Sequence, residues 1–245
     1  STAMNGRNQF TENMLHYSLA AFSAYVCRPT AALFIAIFGI HLLFSNRKCF
    51  IQFSFAIAVL FICFVFFSFR QYGASLPPYY LPAKVASSGN FLMGIYGILL
   101  SPSRGLFIFS PQLALILITI SYFWREWVKM PLIPLMFAWI LLHWIIIARW
   151  ECWWGGASFG PRLLTDSLPA FVILGAQCVN LIQNTNHRKA RTLFISGFAI
   201  LSVWALFVNT VQGLYNPRTS LWNFIAPKKP EPAVYFEWKA PQFLP

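Results

Sequence analysis

The chain has 245 residues, of which 58% are hydrophobic, 18% aromatic and only 10% charged, far from the ~45–50% apolar and ~25% charged mix of soluble domains. That excludes an ordinary soluble enzyme or binding domain and makes the chain an integral membrane protein. The net charge of +12 comes from basic residues scattered singly or in short clusters between apolar runs. With no long basic stripe interleaved with stacking aromatics, no nucleic-acid partner is expected, and the charge is read as topological and facing membrane lipid.

In chain order, residues 1–11 are polar and lack the basic-then-apolar order of a targeting segment. Residues 14–26 place Leu15, Leu19, Phe22 and Val26 at helical spacing on one face. This suits an interfacial helix that runs into the first span at Arg28-Pro29, or one long helix kinked at Pro29. Apolar runs follow at 29–44, 49–69, 106–124, 131–148, 163–182 and 192–211. The clearest is 49–69, which carries no charge; at ~1.5 Å per residue a helix of its length covers the ~30 Å hydrocarbon core. The expected fold is thus all-α and integral to the membrane, with about six transmembrane helices. Residues 1–211 form one multi-spanning domain, because no stretch outside the apolar runs can build a separate core. Residues 212–245 form an external tail. Its Pro227, Pro230, Pro232, Tyr235, Phe236, Trp238 and Pro241 predict extended structure packed on the outer face.

Orientation follows from the short loops. Arg47 and Lys48, then Arg125 and Lys129, then Arg188, Lys189 and Arg191 occupy every second connection, and dense basic loops mark the cytoplasmic side. The longer connections, 70–105 and 149–162, then lie outside with both ends of the chain. Outer termini without a signal peptide lead to the expectation that an N-terminal part precedes this sequence. No internal repeat and no pair of interrupted helices is evident.

Metal or cofactor chemistry is not expected. Cys27, Cys49, Cys63 and Cys178 lie in or beside apolar segments and Cys152 in a loop, without CxxC spacing, and are read as buried apolar thiols. His41 and His143 have apolar surroundings and His187 a cytoplasmic loop, with no second ligand at i+3 or i+4.

The polar features gather on the outer side. Trp153-Trp154-Gly155-Gly156-Ala157-Ser158-Phe159-Gly160-Pro161-Arg162 is a glycine-rich, arginine-tipped loop between two apolar runs. Glycines allow close backbone approach to a ligand, and a guanidinium offers a planar fork for phosphate or carboxylate. The same loop is also what an interfacial turn with belt tryptophans and a snorkelling arginine looks like. Arg104, in Ser101-Pro102-Ser103-Arg104-Gly105 before another apolar run, has a similar position, so Arg104 and Arg162 are expected to face one external cavity and hold a lipid phosphate. Loop 70–105 adds Tyr72, Tyr79, Tyr80 and Lys84. Of the six carboxylates, Glu12, Glu126, Glu151, Asp166, Glu231 and Glu237, Glu126 falls on the cytoplasmic side. Glu151 and Asp166 flank the glycine loop, as salt-bridge partners of Arg149 or Arg162 or as candidate bases. Ser158 matches G-x-S-x-G by letter, but that motif needs a strand-to-helix elbow, so a serine hydrolase is not expected.

Taken in order, Arg28-Pro29-Thr30, Ser101-Pro102-Ser103-Arg104-Gly105-Leu106 with Phe109-Ser110-Pro111, Trp154-Gly155-Gly156 with Phe159-Gly160-Pro161-Arg162, Leu168-Pro169, Trp222-Asn223, Phe236-Glu237-Trp238 and Pro241-Gln242-Phe243-Leu244 resemble the C-terminal half of bacterial multi-spanning GT-C glycosyltransferases. Those are relatives of the dolichyl-phosphate-mannose protein mannosyltransferases. The resemblance implies a bacterial plasma-membrane location and a polyprenyl-phosphate-linked sugar as donor, transferred at the external or periplasmic face. It also implies a catalytic carboxylate in a first external loop. Ser1-Thr2-Ala3 is similar to an internal family position, so that base is expected upstream of this sequence. Arg104, Arg162, Trp154, Gly155 and Gly156 are the expected donor-binding residues, with the arginines stabilising the leaving phosphate. Two readings from other classes stand beside it. One is a transporter or flippase for lipid-linked substrates, which would favour broken helices or ionisable residues at mid-membrane. The other is a non-catalytic membrane scaffold.

Overall fold

A computed structural model describes residues 13–80, 89–183, 188–225, 233–239 and 241–244, and their regular structure is helical throughout. The chain divides into two compact units, residues 1–86 and 87–245.

In the first unit, α1 (Met14–Cys27) ends at Arg28, whose extended backbone (φ −147°, ψ 116°) precedes Pro29. Proline disfavours the helical region for the residue before it, so the chain breaks here instead of continuing as one kinked helix. A 3-10 turn (Pro29–Ala31) leads into α2 (Ala32–Ser45). Asn46 alone separates α2 from α3 (Arg47–Tyr72); its side chain accepts from the backbone N–H groups of Lys48 (3.1 Å) and Cys49 (3.3 Å), capping the new helix. At the far end Gly73 takes a left-handed φ of 66° and donates to the Phe69 carbonyl, which closes the helix. Met14, Ala21, Leu42, Cys49 and Phe53 form the small core. Tyr80 donates to the Val26 carbonyl and packs against Tyr25 and Phe64.

The second unit contains α4 (Phe91–Leu100), the one-turn α5 (Leu106–Phe109), α6 (Gln112–Tyr122), the short α7 (Trp124–Trp127) and α8 (Leu132–Arg149). A 3-10 turn (Arg162–Ser167) then enters α9 (Leu168–Gln183). Next come α10 (Arg188–Leu206), a π-helical continuation (Phe207–Tyr215), α11 (Pro217–Ile225) and a last 3-10 turn (Ala233–Phe236).

Among the described residues, four helical stretches are long and apolar enough to cross a membrane: Arg47–Tyr72, Leu132–Arg149, Arg162–Gln183 and Arg188–Tyr215. Only 6% of the apolar window of the first is buried, against 44% in Leu132–Arg149, so α3 leaves most of its aliphatic and aromatic surface for lipid. This also corrects the reading of the thiols. Cys49 and Cys178 are buried, whereas Cys27, Cys63 and Cys152 are exposed.

Three further differences from the sequence reading have local causes. Residues 91–100, expected within a loop, form α4, capped by Asn90 whose side chain accepts from Met93 N–H at 3.1 Å. At ten residues it is too short to span alone. The run at 106–124 is interrupted at Ser110-Pro111, because proline has no N–H to continue the helix. Carbonyls freed at the break find donors on the neighbouring helix: Trp204 Nε1–H donates to Ile108 O (2.8 Å) and Asn209 Nδ2–H to Phe109 O (2.9 Å). Asn209 sits in the π-helical stretch and also bonds Ala205 O, so the broken helix leans on a continuous one. Finally, the tail expected to be extended begins with π-helix and α11.

Asn209→Leu should therefore strand the Phe109 carbonyl. The expected cost is about 1 kcal/mol, typical of interhelical side-chain hydrogen bonds in membrane proteins, read as a lowered unfolding midpoint of the purified protein. No shift relative to the wild type would show that the break is held by packing alone.

Candidate functional site

The turn after α4 is tied by two short bonds, Gly105 N–H to Ser101 O (2.7 Å) and Arg104 N–H to Ser101 Oγ (2.9 Å). A Cβ on Gly105 would stand 2.5 Å from Ser101 O, so only glycine lets the turn close this tightly. The turn drives the Arg104 side chain into the protein, where it is 1% exposed.

All five guanidinium N–H groups meet protein acceptors. Nε–H donates to Trp154 O (2.9 Å); Nη1 donates to Ser103 O (2.9 Å) and to Gln242 Oε1; Nη2 donates to Gly156 O (3.2 Å) and Asn223 Oδ1 (2.9 Å). The guanidinium also lies over the Tyr235 ring at 4.8 Å and the Trp222 ring at 5.7 Å, where the π faces favour a cation. Tyr235 in turn stacks on Trp154, with ring centroids 5.4 Å apart.

Gln242, fully buried, knits the same centre from the other side. Its Oε1 also accepts from Gly160 N–H (3.1 Å), its Nε2 donates to Ser158 O (2.9 Å), and its backbone N–H donates to Ser103 Oγ (3.3 Å). Asn223 Nδ2 adds a bond to Ser158 O (3.3 Å). Gly155 and Gly156, at φ 75° and 68°, supply the left-handed turn that carries the Gly156 carbonyl to Arg104. Next to this centre, Phe109, Val208 and Phe243 form a buried cluster under Phe159.

These contacts correct the role expected of Arg104. A guanidinium whose five donors are spent on protein presents none to a phosphate, so Arg104 holds the loops together. The expected common cavity is also too small: Arg104, Arg162, Trp153, Trp154 and Leu164 line a crevice of about 10 Å³, about the space of one water. Trp154 and Gly156 serve through their carbonyls, and Trp154 through its buried ring.

Arg162 differs. It begins the 3-10 turn ahead of α9, is exposed, and is set at the rim of the loop by its N–H bond to Gly160 O (3.0 Å). Behind the turn, the buried His143 places Nε2 2.8 Å from Leu163 O, so this histidine anchors the arginine's turn to α8. Asp166 is half-buried in the same 3-10 turn and Glu151 is exposed just after α8. Glu12, Lys84, His187 and Glu231 lie outside the described residues. Ser158 lies in a loop between α8 and a 3-10 turn, away from any strand-to-helix elbow.

Gln242 and Asn223, read from the sequence only as parts of the resemblance motifs, and Tyr235, read only as a tail aromatic, are the participants to which the sequence assigned no role at the site. A glutamine between Pro241 and Phe243 in a tail of otherwise apolar and aromatic neighbours was the available signal, since a buried amide needs partners. In comparison with protein-family models, characterised proteins and solved structures, nothing matches this chain.

Proposed function

We propose that the chain is the C-terminal membrane part of a glycosyltransferase that takes a polyprenyl-phosphate-linked sugar at the external face of a bacterial plasma membrane. The observation that supports this reading is convergence. The short motifs at 101–105, 154–156, 159–162, 222–223 and 241–243, up to 138 residues apart, interlock around one buried arginine. Such a built cap over membrane helices is more than an interfacial turn needs.

In this reading six spans put the Arg47, Arg125 and Arg188 loops in the cytoplasm and the glycine loop outside. An acceptor hydroxyl attacks the anomeric carbon, the bond from that carbon to the phosphate oxygen breaks, and the hydroxyl proton passes to a carboxylate. The lipid phosphate leaves with the bonding electrons, stabilised by the exposed Arg162 guanidinium. Arg104 contributes by holding Gly156 and Gly160 in place. Glu151 and Asp166 are the carboxylates of this chain nearest in sequence to that arginine.

Binding of a polyprenyl-phosphate analogue to the purified protein tests the reading. Arg162→Gln is expected to weaken it roughly tenfold, the worth of a charge-assisted hydrogen bond, while Arg162→Lys retains part of it. Equal affinity in all three proteins would remove Arg162 from the donor site; no measurable affinity in the wild type would remove the donor.

A further inference from the structure

Helix α6 packs against both α9 and α10, and three close approaches fix their relative level. Cys178 Sγ–H donates to Ile116 O (3.5 Å), a Cβ on Gly175 would meet Ile116 at 3.2 Å, and one on Gly197 would meet Leu115 at 3.5 Å. Tyr122, Gln183 and Arg188 each lie roughly 9–14 Å beyond that level at ~1.5 Å per residue. The connection after α6 and the start of α10 therefore share one end of the second unit. Arg125, Lys129, Arg188, Lys189 and Arg191, all exposed, gather there, and Glu126 is the one carboxylate among the described residues of that end. Tyr122 and Trp124 are exposed beside them, with the Arg125 guanidinium 5.7 Å from the Trp124 ring, the residue mix of a headgroup-level belt. Between the same three helices opens a cleft of about 340 Å³, within the ~300–1,000 Å³ range of ligand sites. Ile116 from α6, Phe171 and Val179 from α9, and Phe194 and Phe198 from α10 line it, and apart from Gln112 the lining is apolar. Arg191, Phe194 and Phe198 follow one another along one stripe of α10, so the cleft runs out into the basic cluster.

We infer that this cleft holds an acyl chain of an anionic glycerophospholipid whose phosphate rests on Arg191 and Arg188, with Arg125 and Lys129 adding positive charge at the same end. Five cations against one carboxylate call for an anion, and basic pockets between membrane helices bind anionic headgroups. Guanidinium groups suit the phosphate because they can hold two of its oxygens at once. Membrane topology accounts for basic loops but not for an apolar cleft that leads into them. The cleft's walls belong to the candidate spans Arg162–Gln183 and Arg188–Tyr215, so its occupant arrives through the bilayer. An acidic protein or a nucleic acid would engage the cations and leave the cleft unused. The site does not rest on the function proposed above: Arg162 opens the turn at the opposite end of α9.

The test is photolabelling of the full chain in nanodiscs, with phosphatidylglycerol and phosphatidylcholine probes that carry the same diazirine-bearing acyl chain, followed by peptide mapping. Labels are expected on residues 113–116, 171–179 and 194–198, roughly fivefold or more stronger from phosphatidylglycerol, given about fivefold for each cation near an anionic headgroup. Arg188→Gln combined with Arg191→Gln should erase that preference, and Arg188→Lys combined with Arg191→Lys should keep most of it. Removing two exposed cations of the first unit, by Arg47→Gln with Lys48→Gln, should leave it unchanged. Ala176→Trp, at an exposed position of the lining, should displace both probes from the cleft, whereas Ile200→Trp on the exposed face of α10 should not. Equal labelling by the two lipids would make the cleft an ordinary hydrocarbon contact and overturn the site. An equal loss of preference in the Arg47 and Lys48 variant would reduce it to general surface charge and overturn it as well. Both results would leave the proposed function standing. Labels that fall with Arg162→Gln and persist without Arg188 and Arg191 would give the cleft to the lipid of the proposed function and overturn the phospholipid assignment alone.

Discussion

Arg104→Met is expected to destabilise residues 87–245 by on the order of 4 kcal/mol, enough to abolish accumulation of a marginally stable protein. Methionine matches much of the arginine's length but replaces five donated bonds by none. The carbonyls of Trp154, Ser103 and Gly156 then lose the arginine's bonds, while Gln242 Oε1 keeps Gly160 N–H and Asn223 Oδ1 keeps Gln242 Nε2, and each buried acceptor left unmade costs ~1–3 kcal/mol before relaxation. The cation–π stabilisation from Tyr235 and Trp222 goes as well. Lysine would not rescue, because an ammonium has three donors in a compact cluster where the site demands a planar fork. Denaturant unfolding in detergent micelles provides the measurement. Arg162→Met, at an exposed position, should shift the midpoint little in the same assay. Similar losses at the two arginines would contradict a structural role confined to Arg104. Gln242→Leu should share its loss with Arg104→Met, so the double variant is expected to fall short of the sum by 0.5–3 kcal/mol.

The second large effect is expected at Gly94. An ideal Cβ there would stand 2.0 Å from the Ala148 carbonyl oxygen and 2.8 Å from its carbon. Both are backbone atoms of α8, so no side-chain rotation relieves the clash and the helices must separate. Small residues permit this close approach between membrane helices, and α4 is only ten residues long, so its approach to α8 is a large part of its packing. Gly94→Val should cost about 3 kcal/mol or more, at or beyond the upper end of overpacking penalties. Gly97, whose Cβ would meet the Trp153 ring at 2.3 Å, should behave similarly and would also displace the aromatic support of Arg104. Gly156→Ala provides the contrast: open space surrounds that position but φ is 68°, so only a backbone penalty of ~1–2 kcal/mol is expected. A Gly94→Val protein that melts with the wild type would show that α4 does not rest on α8 as described.

Local composition was enough to determine that this chain is helical and built around apolar segments of membrane-crossing length, because a hydrophobic run needs no distant partner to favour a helix in lipid. It located the stretches at 49–69, 163–182 and 192–211, each of which falls within a helix long enough to span, and 131–148, which matches the spanning helix Leu132–Arg149 to within a residue at each end. Short elements were less legible. Helix α4 is brief and carries Gly94 and Gly97, residues that weaken a helix in isolation and become advantages only when Ala148 and Trp153 press against them. Pro111 announced a break, yet whether a broken helix can persist depends on donors such as Trp204 and Asn209, about a hundred residues away. The two arginines make the same point most sharply. Arg104 and Arg162 stand in similar sequence settings, one after a Ser-Pro-Ser turn and one after Gly-Pro, and spacing alone treats them alike. Tertiary structure separates them: a guanidinium can be buried only where fixed acceptors replace its water, and the tail brings Gln242 and α11 brings Asn223 to Arg104, whereas Arg162 stays exposed at the rim.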